Sequence, residues 1–213
     1  MFYLDEVFLS IQGESTDTGL PCIFVRLYGC PIHCVYCDQP QTLENKHKAS
    51  IGTIVEKIKK FKGVKRVCIT GGEPLIYTED LMPLVWELQY EDYQVSIETN
   101  GCLPLPDWGS RRDWKYIMDV KCPSSGVVKK NIYENLLRLH TKDEVVFVIA
   151  DRNDYDFMKD ILKKFPTQAH ILLSPMFNKE NKNVIGKELV EWLLEDRLDY
   201  RIQIQLHKIL MVQ

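Results

Sequence analysis

The chain has 213 residues and a net charge of −3, a length that suits one domain with a sizeable core and a balance with no basic excess to hold a phosphate backbone. Hydrophobic residues make up 45% and charged residues 27%, which excludes a disordered chain, and no apolar run approaches the length that spans a bilayer. These bounds imply one domain over residues 1–213, with neither nucleic acid nor membrane as partner. The amino terminus MFYLDEVFLS is acidic where a signal peptide is basic, so the expected location is the cytoplasm.

In chain order, VFLSIQGES (7–15) reads as a short apolar strand entering a polar loop, a hairpin turn ahead of the strand IFVRLYG (23–29). Helical spacing follows in IGTIVEKIKKF (51–61), then a strand in VKRVCIT (64–70), a helix in EDLMPLVWELQ (79–89) and a strand in YQVSIETN (93–100). PLPDWGSRRD (104–113) reads as a surface loop, KYIMDVK (115–121) as a strand, and residues 127–142 as a less regular helix. The strands EVVFVIA (144–150), AHILLSP (169–175) and RIQIQL (201–206) then alternate with the helices YDFMKDILKKF (155–165) and GKELVEWLLEDR (186–197). Strand and helix alternate, which argues for a parallel α/β sheet with right-handed crossovers.

In parallel α/β folds ligands collect beyond the carboxyl ends of the strands. Here those ends run into a cysteine cluster at 30–37, TGGEP (70–74), ETNG (98–101), DVKCPSS (119–125) and SPMF (174–177). Five strand ends carrying polar, glycine or cysteine groups are hard to explain by packing alone.

Seven cysteines do not make a disulfide framework. Cys22, Cys68, Cys102 and Cys122 are scattered singly through apolar surroundings, as small buried hydrophobes are. Cys30, Cys34 and Cys37 form CxxxCxxC on a loop containing Gly29 and Pro31. A four-iron cluster normally takes four thiolates, so three leave one iron open to a chelating small molecule. A structural zinc site is an alternative, with His33, Asp38 or His47 as fourth ligand, although no second CxxC or HxxxH pair accompanies it. A dithiol at Cys34 and Cys37 leaves Cys30 idle, and covalent haem needs a histidine where Asp38 stands.

CPIHCVYC, with Tyr36 before the last cysteine, and TGGEP after the next strand together resemble the two signatures of the radical S-adenosylmethionine enzymes. The resemblance implies a partial, incomplete TIM-like barrel of parallel strands with outer helices, a 4Fe-4S cluster on Cys30, Cys34 and Cys37, and S-adenosylmethionine chelated to the open iron. Gly71 and Gly72 allow close backbone approach to a ligand, and Glu73 offers a carboxylate to an ammonium.

The full run SIQGES, IFVRLYGC, CVYCD, TGGEP, ETNG and DVKCPSS resembles the 7-carboxy-7-deazaguanine synthase family along nearly the whole chain. That implies a carbon-nitrogen lyase rearranging 6-carboxy-5,6,7,8-tetrahydropterin with loss of ammonia on the way to queuosine or archaeosine. Flavodoxin or ferredoxin would be the electron donor, and the assembly a homodimer. Carried onto this sequence, Tyr36, Asp38, Gly72, Glu73, Asn100, Asp119, Val120, Lys121 and Ser174 would meet S-adenosylmethionine. Gln12, Gly13, Glu14, Arg26 and Thr70 would meet the pterin. Arg26 lies in an otherwise apolar strand, where a buried guanidinium needs an anion, either the substrate carboxylate or one of the chain's thirty acids. Each strand-end residue has an ordinary capping role as its alternative. QLHKILMVQ (205–213) resembles the family's closing strand, folded back over the site, with His207 as a packing residue.

One position departs from the family. A hydroxyl residue there reaches a magnesium ion beside the substrate carboxylate, and here it is Gln39. Gln39 and Thr42 are the candidate magnesium ligands, and activity is expected to depend on the ion weakly or not at all. Two other readings are carried along: a glycyl-radical-enzyme activase of the same superfamily, and a non-catalytic iron-sulfur or zinc module that binds a partner.

Overall fold

A computed structural model describes residues 1–37, 39, 47–109, 114–177 and 185–212. Strand β1 (Phe2–Ile11) turns through residues 12–20 into β2 (Pro21–Leu27), its antiparallel partner. The short β3 (His47–Ala49) pairs with the outer side of β1, also antiparallel. Six parallel strands continue from β2: β4 (Arg66–Gly71), β5 (Gln94–Thr99), β6 (Trp114–Asp119), β7 (Glu144–Ile149), β8 (His170–Pro175) and β9 (Arg201–Ile202). The order β3-β1-β2-β4-β5-β6-β7-β8-β9 makes one sheet that does not close on itself, a partial barrel. The hairpin expected ahead of IFVRLYG is present: the loop of residues 12–20 is too short for a crossover, so β1 returns antiparallel to β2, and β3 adds a second antiparallel pairing at this edge.

Helices α1 (Ile51–Ile58), α2 (Thr78–Tyr90), α3 (Arg152–Lys164) and α4 (Gly186–Asp196) carry connections between strands. Ser50 caps α1 by accepting the Thr53 amide, and Asp151 caps α3 by accepting the Asp154 amide. Alternation along the strands divides the sheet into two unlike faces. Ile23, Val25, Ile69, Ile97, Tyr116, Met118 and Phe147 join the helices' Ile54, Leu84, Val85 and Met158 in one core. On the other face, among the described buried residues, Ile117, Val146 and Leu172 form a small separate apolar cluster. The same strands also carry Arg26, Thr70, Glu98, Lys115, Asp119 and Glu144, and a barrel interior this polar is built for a ligand rather than for packing.

Three local expectations are corrected. Residues 127–142 form two 3-10 turns, Val128–Lys130 and Tyr133–Arg138, instead of a helix. Asn131 exchanges bonds with the backbone of Lys121, and Asn135 binds the backbone of Gly101, Leu103 and Leu105, so both amides pin neighbouring loops at the expense of helix. The loop 104–113 is not wholly superficial: Leu105 is buried and Trp108 packs on Trp114, although residues 110–113 lie outside the described set. RIQIQL keeps only Arg201–Ile202 as strand, and the segment read as a closing strand contains helix α5 (Leu206–Leu210). Gln203 and Gln205 bond to Glu14, and the Leu206 amide bonds to Gly13 O at 2.8 Å; together these contacts draw the chain off the sheet edge and onto the barrel mouth.

Candidate active site

The carboxyl ends of the strands open into a cavity of about 720 Å³. Cys30, Cys34, Tyr36, Cys37 and Gln39 line it from the loop after β2, and Thr70, Gly71, Gly72, Glu98, Asn100, Asp119 and Lys121 line it from the next strand ends. Gln12, Gly13, Glu14 and Arg26 complete its wall, so residues read from five separate stretches of sequence meet in one place. Asp38 and Thr42 lie outside the described residues. Val120 is buried in the core, its amide bonded to Val146 O, and does not line the cavity; nor do Glu73 and Ser174.

The cysteine loop is stitched to three neighbours. The Glu73 amide donates to Gly29 O at 2.7 Å, and the Val35 amide to Ser125 O at 3.0 Å. Asn100 Nδ2 donates to Cys30 Sγ at 3.4 Å. Among the described residues no three His, Cys, Asp or Glu side chains close around a single metal ion. Cys30, Cys34 and Cys37 nonetheless line the same cavity. Burial holds the Cys30 and Cys34 thiols above their ordinary pKa.

The glycines of TGGEP line the cavity and also make close backbone contacts within the chain. Gly71 has φ +130°, and a Cβ there would stand 2.0 Å from Leu27 O; one on Gly72 would stand 2.0 Å from Gly29 O. Their first role is to let this turn and the cysteine loop touch backbone to backbone. Glu73 is likewise turned inward and fully buried. Its carboxylate accepts the Leu75 amide at 2.9 Å, Thr99 Oγ1 at 2.8 Å and the Asn100 amide at 2.7 Å. Burial raises its pKa, against the pull of those three donors. The carboxylate thereby ties the TGGEP turn to the end of β5, beside Gly71 and Gly72 on the cavity wall.

Opposite, Lys121 pairs with Asp119 Oδ2 and lies 5.7 Å over the Tyr36 ring. Burial would lower the lysine's pKa, but the charge of Asp119, with that of Cys34, holds it above its ordinary value. Among the described residues, the buried polar atoms without a hydrogen-bond partner include Arg26 Nε and, nearer the cysteines, three more: Tyr36 OH, Asp119 Oδ1 and Ser174 Oγ. Such atoms are costly unless something meets them. Two of the three belong to cavity-lining residues, beside three thiols, which is a donor set that fits an iron-sulfur cluster carrying a small polar ligand.

On the wall formed with the Gln12–Glu14 loop, Arg26 Nε lies 2.9 Å from Glu6 Oε1 across the β1–β2 ladder, an ion pair by distance whose N–H is too poorly aligned to form a hydrogen bond. Its guanidinium also rests on the Phe8 ring at 5.2 Å. Of the two anticipated partners the internal acid is present, and the same side chain lines the cavity. Glu14 accepts from Gln205 at 2.6 Å and from Gln203 at 3.2 Å. His207 packs on Gly13, where a Cβ would meet its ring at 2.0 Å.

Sequence reasoning missed Glu98, which accepts Thr70 Oγ1 at 2.6 Å and Gln12 Nε2 at 3.3 Å and faces the cavity. Its signal was an acid on the inward register of YQVSIETN. Gln203 and Gln205 were missed too, though the alternation of RIQIQL sets both glutamines on one face. The Asn131 clamp on Lys121 left no such mark.

Known proteins bear on this site in three ways. The family model for the radical SAM superfamily matches residues 24–120. The 7-carboxy-7-deazaguanine synthase of Koribacter versatilis is 38% identical, covering 96% of this chain and 95% of its own. Those of Methanospirillum hungatei and Aquifex aeolicus are 38% and 34% identical over 95% and 96% of this chain, covering 82% and 91% of their own. The crystal structure of QueE from Escherichia coli superposes with a TM-score of 0.78 at 23% identity, covering 97% of this chain and 94% of that one, a likeness of fold.

Proposed function

This chain belongs to the 7-carboxy-7-deazaguanine synthase family of radical S-adenosylmethionine enzymes, and we propose that it converts 6-carboxy-5,6,7,8-tetrahydropterin to 7-carboxy-7-deazaguanine with loss of ammonia. The observation that carries the reading is the meeting of CxxxCxxC, the TGGEP turn and the Gln12–Glu14 loop on one cavity at the barrel mouth. When bound, a four-iron cluster and S-adenosylmethionine supply the one-electron chemistry that takes a hydrogen atom from the pterin and later returns it.

The chain's own residues bind, orient and exclude water. Cys30, Cys34 and Cys37 are the cluster thiolates. Asn100 Nδ2, donating to Cys30 Sγ, draws charge from that sulfur, as donors beyond the ligands do. Tyr36, Asp38, Gly72, Asn100, Asp119 and Lys121 are assigned to S-adenosylmethionine. Tyr36 OH and Asp119 Oδ1 are the polar atoms still without a partner. Glu73 and Val120, set back from the cavity, support that wall, and Ser174, beside Val148 with its Oγ unpartnered, is assigned to S-adenosylmethionine as well. Arg26 is assigned to the substrate carboxylate, which completes the bonding its Glu6 contact leaves unfinished. Gln12, Gly13, Glu14 and Thr70 are assigned to the pterin's polar edge, where a matched donor and acceptor discriminate strongly. His207, Met211 and Val212 line the cavity from the carboxyl-terminal segment and would keep water from the reacting centre.

Residues 1–213 are read as one radical S-adenosylmethionine domain, supported by the single sheet that runs from β3 to β9. Reduced flavodoxin or ferredoxin is the proposed electron donor, reaching the cluster from the side of the exposed Cys37. A homodimer is proposed as well, covering the apolar side chains Ile209 and Leu210 that α5 leaves exposed. No described helix is long and apolar enough to cross a membrane, and the reduced, metal-binding cysteines suit the cytoplasm. The test is anaerobic reconstitution with iron and sulfide. About four irons per chain, lost in Cys34→Ala, together with turnover of the pterin in the absence of any protein substrate, support the reading. A loaded cluster that leaves the pterin untouched and acts only on a partner protein would favour an activase.

A further inference from the structure

Residues 12–20 do more than join β1 to β2. Gln12, Gly13 and Glu14 face the cavity, and the chain then descends along the polar face of the sheet to the amino ends of β6 and β7. There Glu144, fully buried, accepts the Thr16 amide at 3.0 Å and Thr16 Oγ1 at 2.5 Å. Lys115 Nζ donates to the same carboxylate at 2.5 Å and to Thr16 Oγ1 at 3.0 Å, and pairs with Asp17 at 2.8 Å. Between the two ends Ser15, 2% exposed, takes a left-handed φ of +69° with its amide on Gln203 Oε1 at 2.8 Å. A second cavity of about 280 Å³ lies on the floor side, lined by Asp17 and Lys115, and Gln12 borders both cavities. The loop is therefore a plug through the open barrel.

A left-handed serine persists only where its surroundings over-determine it, and this one is held from below by Glu144 and Lys115. A buried ion pair roughly breaks even against apolar residues of the same volume, so its effect is better sought in fixing one arrangement than in stability. We propose that Glu144 and Lys115 are positioning residues: they lock the Gln12–Asp17 loop so that Gln12 and Glu14 stand ready for the substrate. The inference rests on the pterin reading for the identity of that substrate, but not for the locking of the loop.

The test compares Glu144→Gln with Asp17→Asn, which keeps the Glu144–Lys115 pair and removes only its half-exposed partner. Hydrogen exchange of the peptide spanning residues 12–20 and steady-state kinetics on the reconstituted protein are measured together. Glu144→Gln is expected to speed exchange in that peptide and to raise KM for the pterin about tenfold, as misplacement of a positioning group does. Reductive cleavage of S-adenosylmethionine without pterin is expected to stay within about twofold of the parent. Asp17→Asn shifts exchange and KM in the same sense by less, and serves alone if Glu144→Gln does not fold. Unchanged loop exchange and KM in a folded variant overturn the proposal, as does a loss of S-adenosylmethionine cleavage in step with the pterin reaction. A parent protein that makes no product would sink the pterin reading, while the exchange data would still decide the loop.

Discussion

Gly72 lies in backbone contact with Gly29: a Cβ on the first would stand 2.0 Å from the carbonyl oxygen of the second. That contact, reinforced by the Glu73 amide on Gly29 O, fixes the cysteine loop against the end of β4. Gly72→Ala is therefore expected to destabilise the fold by about 1–3 kcal/mol and to lower iron uptake on reconstitution. Gly52→Ala, in the first turn of α1 with a Cβ 3.9 Å from Ser50 Oγ, serves as the tolerated control. Thermal unfolding and iron content measured on both variants decide it, and equal behaviour would show that the contact does not govern the cluster loop.

Arg26 and Glu6 form a pair with poor hydrogen-bond geometry, and the same guanidinium lines the cavity, where the proposed substrate carboxylate would meet its fork. Arg26→Lys keeps the charge and loses the fork. KM for the pterin is expected to rise about tenfold, worth about 1.4 kcal/mol, with uncoupled S-adenosylmethionine cleavage unaffected. An unchanged KM would assign Arg26 to Glu6 alone.

Lys121, nine-tenths buried beside Asp119, titrates above its ordinary value in the folded chain. A lysine raised in this way contributes stability that is fully present below the unfolded value and is lost only as pH climbs through the folded one. Lys121→Met leaves Asp119 without its cation and is expected to cost about 3 kcal/mol. Urea unfolding should find that gap constant from about pH 7 to about pH 9, below the ordinary lysine range. A gap that closes within this window contradicts the assignment of the stabilising charge to Lys121.

Much of this site was legible because its chemistry needs residue types that packing does not. Three thiols in eight positions, a guanidinium in an apolar strand and two glycines before a glutamate stand out against the alternation around them. The parallel order of β4 to β8 followed from helix and strand periodicity for the same reason. What stayed hidden depended on contacts distant in sequence. Glu73 gave no sign that Thr99 and Asn100 would consume its carboxylate, and the glycine pair could not announce its close backbone neighbours, Leu27 and Gly29. Nor does local sequence show that Gln203 and Gln205, nearly two hundred residues on, turn to Glu14 and peel the last segment from the sheet.

Gln39 lines the cavity where a hydroxyl was expected, with its carbonyl accepting from Cys37 Sγ at 3.5 Å. Its longer amide side chain moves any oxygen ligand away from the position a serine or threonine would hold. Turnover after chelation is expected to change little when magnesium is restored. A strict magnesium requirement that Gln39→Ala abolishes would establish the amide as a metal ligand.

The most direct measurement follows pterin and S-adenosylmethionine in the same anaerobic time course with reduced, reconstituted protein. Formation of 7-carboxy-7-deazaguanine in excess of the S-adenosylmethionine consumed, with ammonia released one for one, is the predicted result. A loaded cluster that cleaves S-adenosylmethionine while 6-carboxy-5,6,7,8-tetrahydropterin remains intact would contradict it.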